Sequence, residues 1–360
     1  MYPTLMFTLQ STSSIGRRGN IRTAHGEIQT PFFMPVGTAG AMRGMTHEQL
    51  GELGAQILLC NTYHLHLQPG EETIAPAGGL HQFIHWKKPI LTDSGGYQVF
   101  SMRHTSKIED TGVHFRSHRD GTPLFLGPES AMRIQHALGA DIIMCFDECP
   151  PSTAPRQDIE QAVDRTLLWA KQCKEWHKEL CKKSAHVPLL FGIVQGGLER
   201  DLREKCAEEL MAMDFDGYAI GGLAVGEGQE EMYGVLDAVC PLLPAEKPRY
   251  LMGVGTIPQL QNCVAKGVDM FDCVLPMRLA RHGHLFLSDG SDIRLSHSKW
   301  KNAHEAIDAH SPSLLSRTHY KSYLHHLFKV HERLAETIAC MQNLGMTLKT
   351  MQDLREQMND

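Results

Sequence analysis

A (β/α)8 barrel carrying a small C-terminal appendage is the fold class this sequence predicts, and three observations predict it. Six short apolar runs each end in an acid, an amide or a glycine pair: PILTDSGGYQVFS, ADIIMCFDECP, PLLFGIVQGG, GYAIGGLAVGE, RYLMGVGT and VDMFDCVLPMRLARHGH. Continuous apolar runs of this length read as parallel strands buried on both faces. Helix-like stretches separate the runs, which is the βα alternation of a barrel. Past Asp272 the alternation stops, and hairpin and helix signals of a different kind take over. A doubly wound open sheet is the alternative, but it needs a glycine-rich phosphate loop after its first strand, and none is present. The expected division is a barrel of residues 1–275 and about 343–360, with an appendage over about 276–342.

The elements follow in order. Thr46-His-Glu-Gln49 is a capping box that opens a short helix before the apolar run AQILLCNTY. Pro128 stands at a first helical position in PESAMRIQHALGA. A longer helix runs from about Arg156 to Leu180, with Lys182 and Lys183 at its negative end. Helices over about 199–213 and 228–241 precede the next two strands, and Thr256 caps PQLQNCVAKG. HLFLSDGSDIRLSHSKW reads as an antiparallel hairpin turning at Asp289-Gly290. One strong helix is expected over HYKSYLHHLFKVHERLAETIACMQNLG, followed by a short amphipathic end.

The 360 residues, 42% hydrophobic and 21% charged, supply a large core. MYPTLMFTLQ has neither a basic n-region nor a long apolar stretch, and no membrane span is expected, so the location reads as cytoplasmic. The ten cysteines form no disulfide framework and no CxxC pair, which suits a reducing compartment. A net charge of −6 excludes a protein that coats nucleic acid non-specifically. The segment from Arg278 to Arg333 nevertheless holds nine Lys and Arg against five Asp and Glu, about +4, with nine of the 21 histidines, which leaves about −10 elsewhere. A basic segment beside the mouth fits an anionic polymer reaching in, and a plain solvated surface is the alternative.

In a parallel barrel the strand C-termini form the functional face. Asp93, Asp147, Gln195, Gly222, Gly253 and Asp272 would therefore share one mouth. Asp272 and Asp93 come from different strands, and two carboxylates with separate tasks are what glycosidic chemistry requires: a nucleophile at the anomeric carbon and a group that moves protons. An Asx-turn role is the alternative for Asp93, whereas Asp272 lies between Phe271 and Cys273, where an unused charge is expensive. Asp147 and Gln195 supply acceptors and donors suited to the N1/N2/O6 edge of a guanine-like ring. The glycine pair Gly221-Gly222 lets a carbonyl oxygen approach the backbone. Tyr97 and Met252 would bracket the heterocycle. Each of these taken singly is more often turn or core; their value lies in recurring at successive strand ends.

The stretches TDSGGYQVFS, FDECPP, GIVQGG, YAIGGLAVGE, YLMGVGT and FDCVLPMRLARHGH, in that order, resemble the bacterial tRNA-guanine transglycosylases along nearly the whole chain. The resemblance implies a modified TIM barrel that exchanges guanine at the anticodon wobble position of U-G-U tRNAs for 7-aminomethyl-7-deazaguanine, the precursor of queuosine. It implies Asp272 as the nucleophile that holds the RNA covalently and Asp93 as the proton acceptor and donor. Ser94, Gly95, Gly96, Tyr97, Asp147, Gln195, Gly222, Leu223 and Met252 match base-binding positions, with the Leu223 carbonyl reading the aminomethyl group. Gly253, Val254, Gly255, Thr256, Ile257, Pro258 and Gln259 fall on RNA-contacting segments, as do Met277, Arg278, Leu279, Ala280 and Arg281. Arg278 and Arg281 suit the phosphates around a flipped-out nucleotide. Cys145 and Val225 resemble the bacterial pocket rather than the roomier one that takes queuine. A homodimer is implied as well.

Two departures stand out. Met277 replaces a usual Thr beside the arginines. The family's zinc site, three cysteines and a histidine, corresponds here to Ser311, Ser313, Ser316 and Gln342, which are poor zinc ligands, so no cofactor and no metal are expected. Histidines 304, 310, 319, 325, 326 and 331 are candidates for a replacement site, with a structural role the expectation for His325 and His326. The competing function is a non-catalytic or partner-dependent RNA-binding subunit of the same fold, which should have lost Asp93 or Asp272. Exchange on DNA, or at another RNA position, is a third reading.

Overall fold

The computed structural model describes residues 6–101, 106–184 and 186–358. An N-terminal antiparallel sheet comes first: β1 (Phe7–Ser13), β2 (Gly16–Thr23) and β3 (Gly26–Thr30). Eight parallel strands follow: β4 (Phe32–Met34), β5 (Leu58–Cys60), β6 (Ile90–Thr92), β10 (Ile142–Met144), β11 (Leu189–Val194), β12 (Gly217–Ile220), β13 (Arg249–Leu251) and β14 (Met270–Asp272). Each pairs with its neighbour in chain order, and β14 pairs with β4. The last seam closes through a parallel bridge between Val36 and Leu59, with the Gly37 amide donating to the Leu59 carbonyl at 2.8 Å. The sheet is thus the expected (β/α)8 barrel.

Alternation along the strands splits the core in two. Phe32, Met34, Leu59, Leu91, Ile142, Met144, Phe191, Ile193, Ala219, Tyr250 and Met270 fill the lumen. Their neighbours Phe33, Leu58, Ile90, Ile143, Leu190, Ile220, Leu251 and Phe271 meet the surrounding helices. Phe7, Ile21 and Ile28 of the N-terminal sheet join the lumen cluster and plug the barrel at its strand N-termini. This plug was not legible as strands in the sequence. Nor was the small sheet between the third strand and its helix, made of β7 (Lys107–Glu109), β8 (Gly112–Arg116) and β9 (Pro123–Leu126).

The capping box at Thr46 forms as expected, the Gln49 amide donating to the Thr46 hydroxyl while Gln49 Oε1 accepts from the Thr46 amide. Pro128 opens the helix Pro128–Leu138, and the long helix runs Arg156–Cys181. Thr256 stands at the N-cap of Ile257–Ala265, but its hydroxyl donates to Gln259 Oε1 at 2.7 Å instead of accepting from the helix. The hairpin of β15 (His284–Phe286) and β16 (Asp292–Arg294) turns at Asp289-Gly290, where Gly290 has φ 82°.

The single helix expected near the C-terminus is two, Lys321–Lys329 and Leu334–Gln357. His331 breaks it with φ 56°. No glycine or proline marks the break; the two halves instead bury apolar faces against different partners. The second helix touches β4, β15 and the helices Ile257–Ala265 and Leu275–Arg281, and is buried nearly all round. Among the described residues, no helix is long and apolar enough to cross a membrane.

Candidate active site

Lumen parity decides which side chains meet above the barrel. Counting on from lumen residues Leu91, Ile193, Tyr250 and Met270, every second position reaches Asp93, Gln195, Met252 and Asp272 at the C-terminal mouth. Asp272 Oδ1 accepts from the Tyr250 hydroxyl at 2.6 Å and the Gly253 amide at 3.1 Å. Burial pushes its pKa up against the pull of these two donors.

Asp93 is held from strand β5's end. Its Oδ1 accepts from the Thr62 amide at 2.8 Å, and its Oδ2 accepts from Asn61 Nδ2 and, at 3.3 Å, from Gln98 Nε2. Burial raises the Asp93 pKa to about 7; the Thr62 amide opposes the rise and the negative charge of Asp272 adds to it. A carboxyl that titrates near neutrality can both give and take a proton. Asp272 keeps two donors suited to its charged form, so the two acids lie in unlike environments and can take unlike roles.

Beside them, Asp147 is buried and bonded on both oxygens, by Ser94 Oγ at 3.0 Å and Gln195 Nε2 at 2.7 Å. Burial lifts its pKa to about 6. Ser94 Oγ also accepts from the Gly96 amide at 3.1 Å, and a Cβ on Gly96 would lie 2.7 Å from the Asp147 carbonyl, so the DSGG turn packs against Asp147 only as glycine. Gly221 and Gly222 are required by Gln195: a Cβ on either would fall 2.6 Å from its amide, and Gly222 has φ 66°. Gln195 Oε1 is buried with no partner among the described residues, an acceptor facing the glycine pair. Asp147, Gln195 and the backbone at Gly222, the three positions expected to read a base, are thus in contact through Gln195. Tyr97 is 53% exposed at the start of the helix Gly96–Ser101, Met252 is half-buried above the lumen, and Leu223 is buried. Cys145 is buried; the amides of Ala224 and Val225 donate to the Glu227 carboxylate, which shapes the loop after β12.

The two segments expected to meet RNA lie together. Gly255 packs on Cys273, where a Cβ would approach to 2.4 Å, and this brings the loop after β13 against the start of the helix Leu275–Arg281. Within them Val254, Gly255, Met277 and Ala280 are buried and face the protein; Gly253, Pro258 and Arg278 are exposed, and Thr256, Ile257, Gln259, Leu279 and Arg281 are half-buried. Met277 is held beneath the arginines, its carbonyl facing Cys340 Sγ.

Sequence reasoning missed three supports: Tyr250, Asn61 and Arg203. Arg203 is fully buried and its Nη1 donates to the carbonyls of Val194 at 2.7 Å and Gly221 at 2.8 Å, while Nε donates to Gly197 at 2.9 Å. It ties the ends of β11 and β12 together under Gln195 and Gly222. An arginine in a helix with acids on either side carries no sequence signal of burial; Tyr250, inside an apolar run at lumen parity with Asp272, does.

Ser311, Ser313, Ser316 and Gln342 do converge in a buried part of the appendage. The donor set does not fit zinc. Gln342 Nε2 is spent on the Phe286 carbonyl at 2.7 Å and Asp308 at 2.9 Å, and Asp308 also accepts from Ser288 and the His310 amide. What remains is neutral oxygen: Ser313 Oγ, Ser316 Oγ and Gln342 Oε1 are buried without a partner among the described residues. Among the described residues the appendage histidines gather no group of three ligands; His304, His319 and His325 bond Ser322, the Leu315 carbonyl and the Leu295 carbonyl respectively.

The family model of queuine tRNA-ribosyltransferase matches residues 11–360. Relatives named queuine tRNA-ribosyltransferase include one from Aeromonas hydrophila, 46% identical over 98% of this chain and 92% of its own length. One from Fusobacterium nucleatum is 47% identical over 97% and 93%. One from Shouchella clausii is 48% identical over 96% and 89%. With a match of this extent, over a (β/α)8 barrel whose mouth gathers two unlike carboxyls, the chain belongs to the queuine tRNA-ribosyltransferase family.

Proposed function

We propose that this chain exchanges the wobble guanine of U-G-U anticodon tRNAs for 7-aminomethyl-7-deazaguanine by covalent double displacement. The broader activity rests on family membership: it is a tRNA-guanine transglycosylase, a pentosyltransferase acting on tRNA and a guanine-type base. Ionised Asp272 attacks the ribose anomeric carbon, the C1′–N9 bond breaks with its electron pair passing to guanine, and Asp93 gives the leaving base its proton. The entering base then loses its N9 proton to Asp93 and attacks C1′, which releases the Asp272 carboxylate. Asp147, Gln195 and Gly222 hold either base by its polar edge, and Arg278 and Arg281 hold the RNA around the extruded nucleotide. One observation carries the reading: two carboxyls on different strands, one near pKa 7 and one held by hydroxyl and amide donors, close enough that the charge of one raises the other. Cys145 and Val225 favour the aminomethyl base over queuine.

The appendage over about 276–342 is proposed as the RNA-binding unit, with 1–275 and about 343–360 as the catalytic barrel, and it is proposed to hold no metal at Ser311, Ser313, Ser316 and Gln342. A cytoplasmic location suits a tRNA-modifying enzyme. Leu314, Tyr320, Tyr323, Val330 and Leu334 are each exposed on the appendage, and exposed apolar side chains there suit a homodimer contact.

The test is Asp272→Asn. Labelled-guanine incorporation into tRNA should fall by at least about a thousandfold with tRNA affinity nearly unchanged, and no covalent RNA–protein band should form. Exchange near the wild-type rate would remove Asp272 from the mechanism. Wild-type protein that is folded and binds tRNA, yet incorporates nothing, would instead favour the partner-dependent subunit.

A further inference from the structure

Away from the catalytic mouth, the helices Pro128–Leu138 and Arg156–Cys181 pack against each other. Where the end of the first meets the end of the second, three ligand-type side chains converge: His136, His177 and Cys181. His177 and Cys181 are one turn apart on a single helix face. His136 Nε2 lies 3.0 Å from His177 Nδ1, and Cys181 Sγ lies 3.7 Å from that same nitrogen. The ligand atoms of all three lie within 4.8 Å of one another. A tetrahedral zinc ion with its usual bond lengths separates two nitrogens by about 3.3 Å and a nitrogen from a sulfur by about 3.6 Å. Two of the three edges are therefore within a few tenths of an ångström of that geometry without any backbone movement. All three residues are half-buried, so an ion can reach them from solvent.

We propose that His136, His177 and Cys181 form a binding site for a zinc-like divalent cation, remote from catalysis, with solvent water as the fourth ligand. Two imidazoles and a thiolate are a borderline-soft donor set, which suits zinc and disfavours magnesium and calcium. Each imidazole has a ring nitrogen within reach of the other two ligand atoms, and a neutral imidazole offers its lone pair there. On binding, the hexaaquo ion gives up five of its six waters as it passes from octahedral to tetrahedral coordination, with three protein ligands and one retained water completing the site. The Cys181 thiol proton passes to solvent, and the proton shared between the two imidazoles moves to a ring nitrogen that the ion does not use. The ion would staple the two helices across 45 residues of chain between His136 and Cys181. Nothing in the reaction passes through this site, and its failure would leave the transglycosylase reading untouched.

The test strips the full-length protein with a chelator and titrates it with zinc against a colorimetric competitor, then repeats the titration with cobalt(II). Wild type should take up one tight equivalent, raise its melting temperature on zinc addition, and show thiolate-to-cobalt charge-transfer absorption. Cys181→Ser should lose that absorption and bind about tenfold or more weakly. His136→Gln/Cys181→Ser should take up none, with guanine exchange retained as the check that it folds. Ser311→Ala/Ser316→Ala should bind as wild type does, which separates this site from the appendage. Uptake only at large metal excess, or equal uptake by wild type and the double variant, overturns the proposal.

Discussion

Asp93 shows how a single residue acquires a chemical role from its surroundings. The Asx turn that its Asp-Ser-Gly-Gly context suggests and the proposed proton-transfer role compete in the sequence; the barrel buries the carboxyl near a second acid, which is the environment the proposed role needs. With its pKa raised to about 7 from an ordinary 3.8, Asp93 is mostly protonated below neutrality and ionised above it. The leaving guanine needs the protonated form, so single-turnover release of labelled guanine should fall as pH rises through about 7. Asp272 must be ionised to attack, and its own raised pKa should produce a falling limb on the acid side. A profile flat from about pH 6 to about 9 would rule Asp93 out as the acid that sets the rate.

At the scale of elements, the mouth is precise because strand ends are tied from outside. Arg203, on the helix Arg200–Ala212, reaches inward to the carbonyls at the ends of β11 and β12; without it the buried Gly221 carbonyl would lose its guanidinium donor, while Val194 would keep only the Gly221 amide, at 3.0 Å. Arg203→Met should therefore destabilise the fold by about 2 to 4 kcal/mol in urea denaturation. It should also raise the KM for guanine more than it lowers kcat, because Gln195 and Gly222 lose their support and Asp272 does not. An unchanged KM would show that β11 and β12 hold their ends alone. The helix Leu334–Gln357 teaches a related point. A 3.6 period joined it to Lys321–Lys329, since no breaker residue lies between, and only the separate partners of the two halves require the left-handed turn at His331.

The whole molecule is a barrel open at one end and sealed at the other. At the sealed end Arg17 of the N-terminal sheet lies 3.6 Å from Asp269, both side chains buried, and donates to the Ala245 carbonyl at 2.6 Å. Burial raises Asp269 to about 6, with the Arg17 charge opposing the rise. Arg17→Met removes the larger of two cationic influences on that carboxylate, leaving Arg249 and its amide, and should lower stability by up to about 3 kcal/mol, read as a shift in the urea midpoint. Guanine exchange at a permissive temperature should stay near wild type, because the plug and the mouth lie at opposite ends of the strands. A stable variant with impaired exchange would mean that the plug controls the lumen as far as Tyr250 and Asp272.

The repeated apolar runs ending in Asp93, Asp147, Gln195, Gly222 and Asp272 were enough to read the barrel and the end of it to which those residues come, because burial of a strand on both faces leaves a mark in local composition. Strands β1 to β3 and β7 to β9 left no such mark, being rich in polar residues and justified only by what they cover. The residues that make the site work, Tyr250 under Asp272, Asn61 beside Asp93 and Arg203 beneath the glycine pair, act across separations of 18 to 32 positions in the chain. The same holds for the meeting of His136 with His177 and Cys181. Sequence records which faces must be buried, since that is a property of neighbouring residues; which donor meets which acceptor is settled only when closure of the barrel brings distant strands and helices to one place.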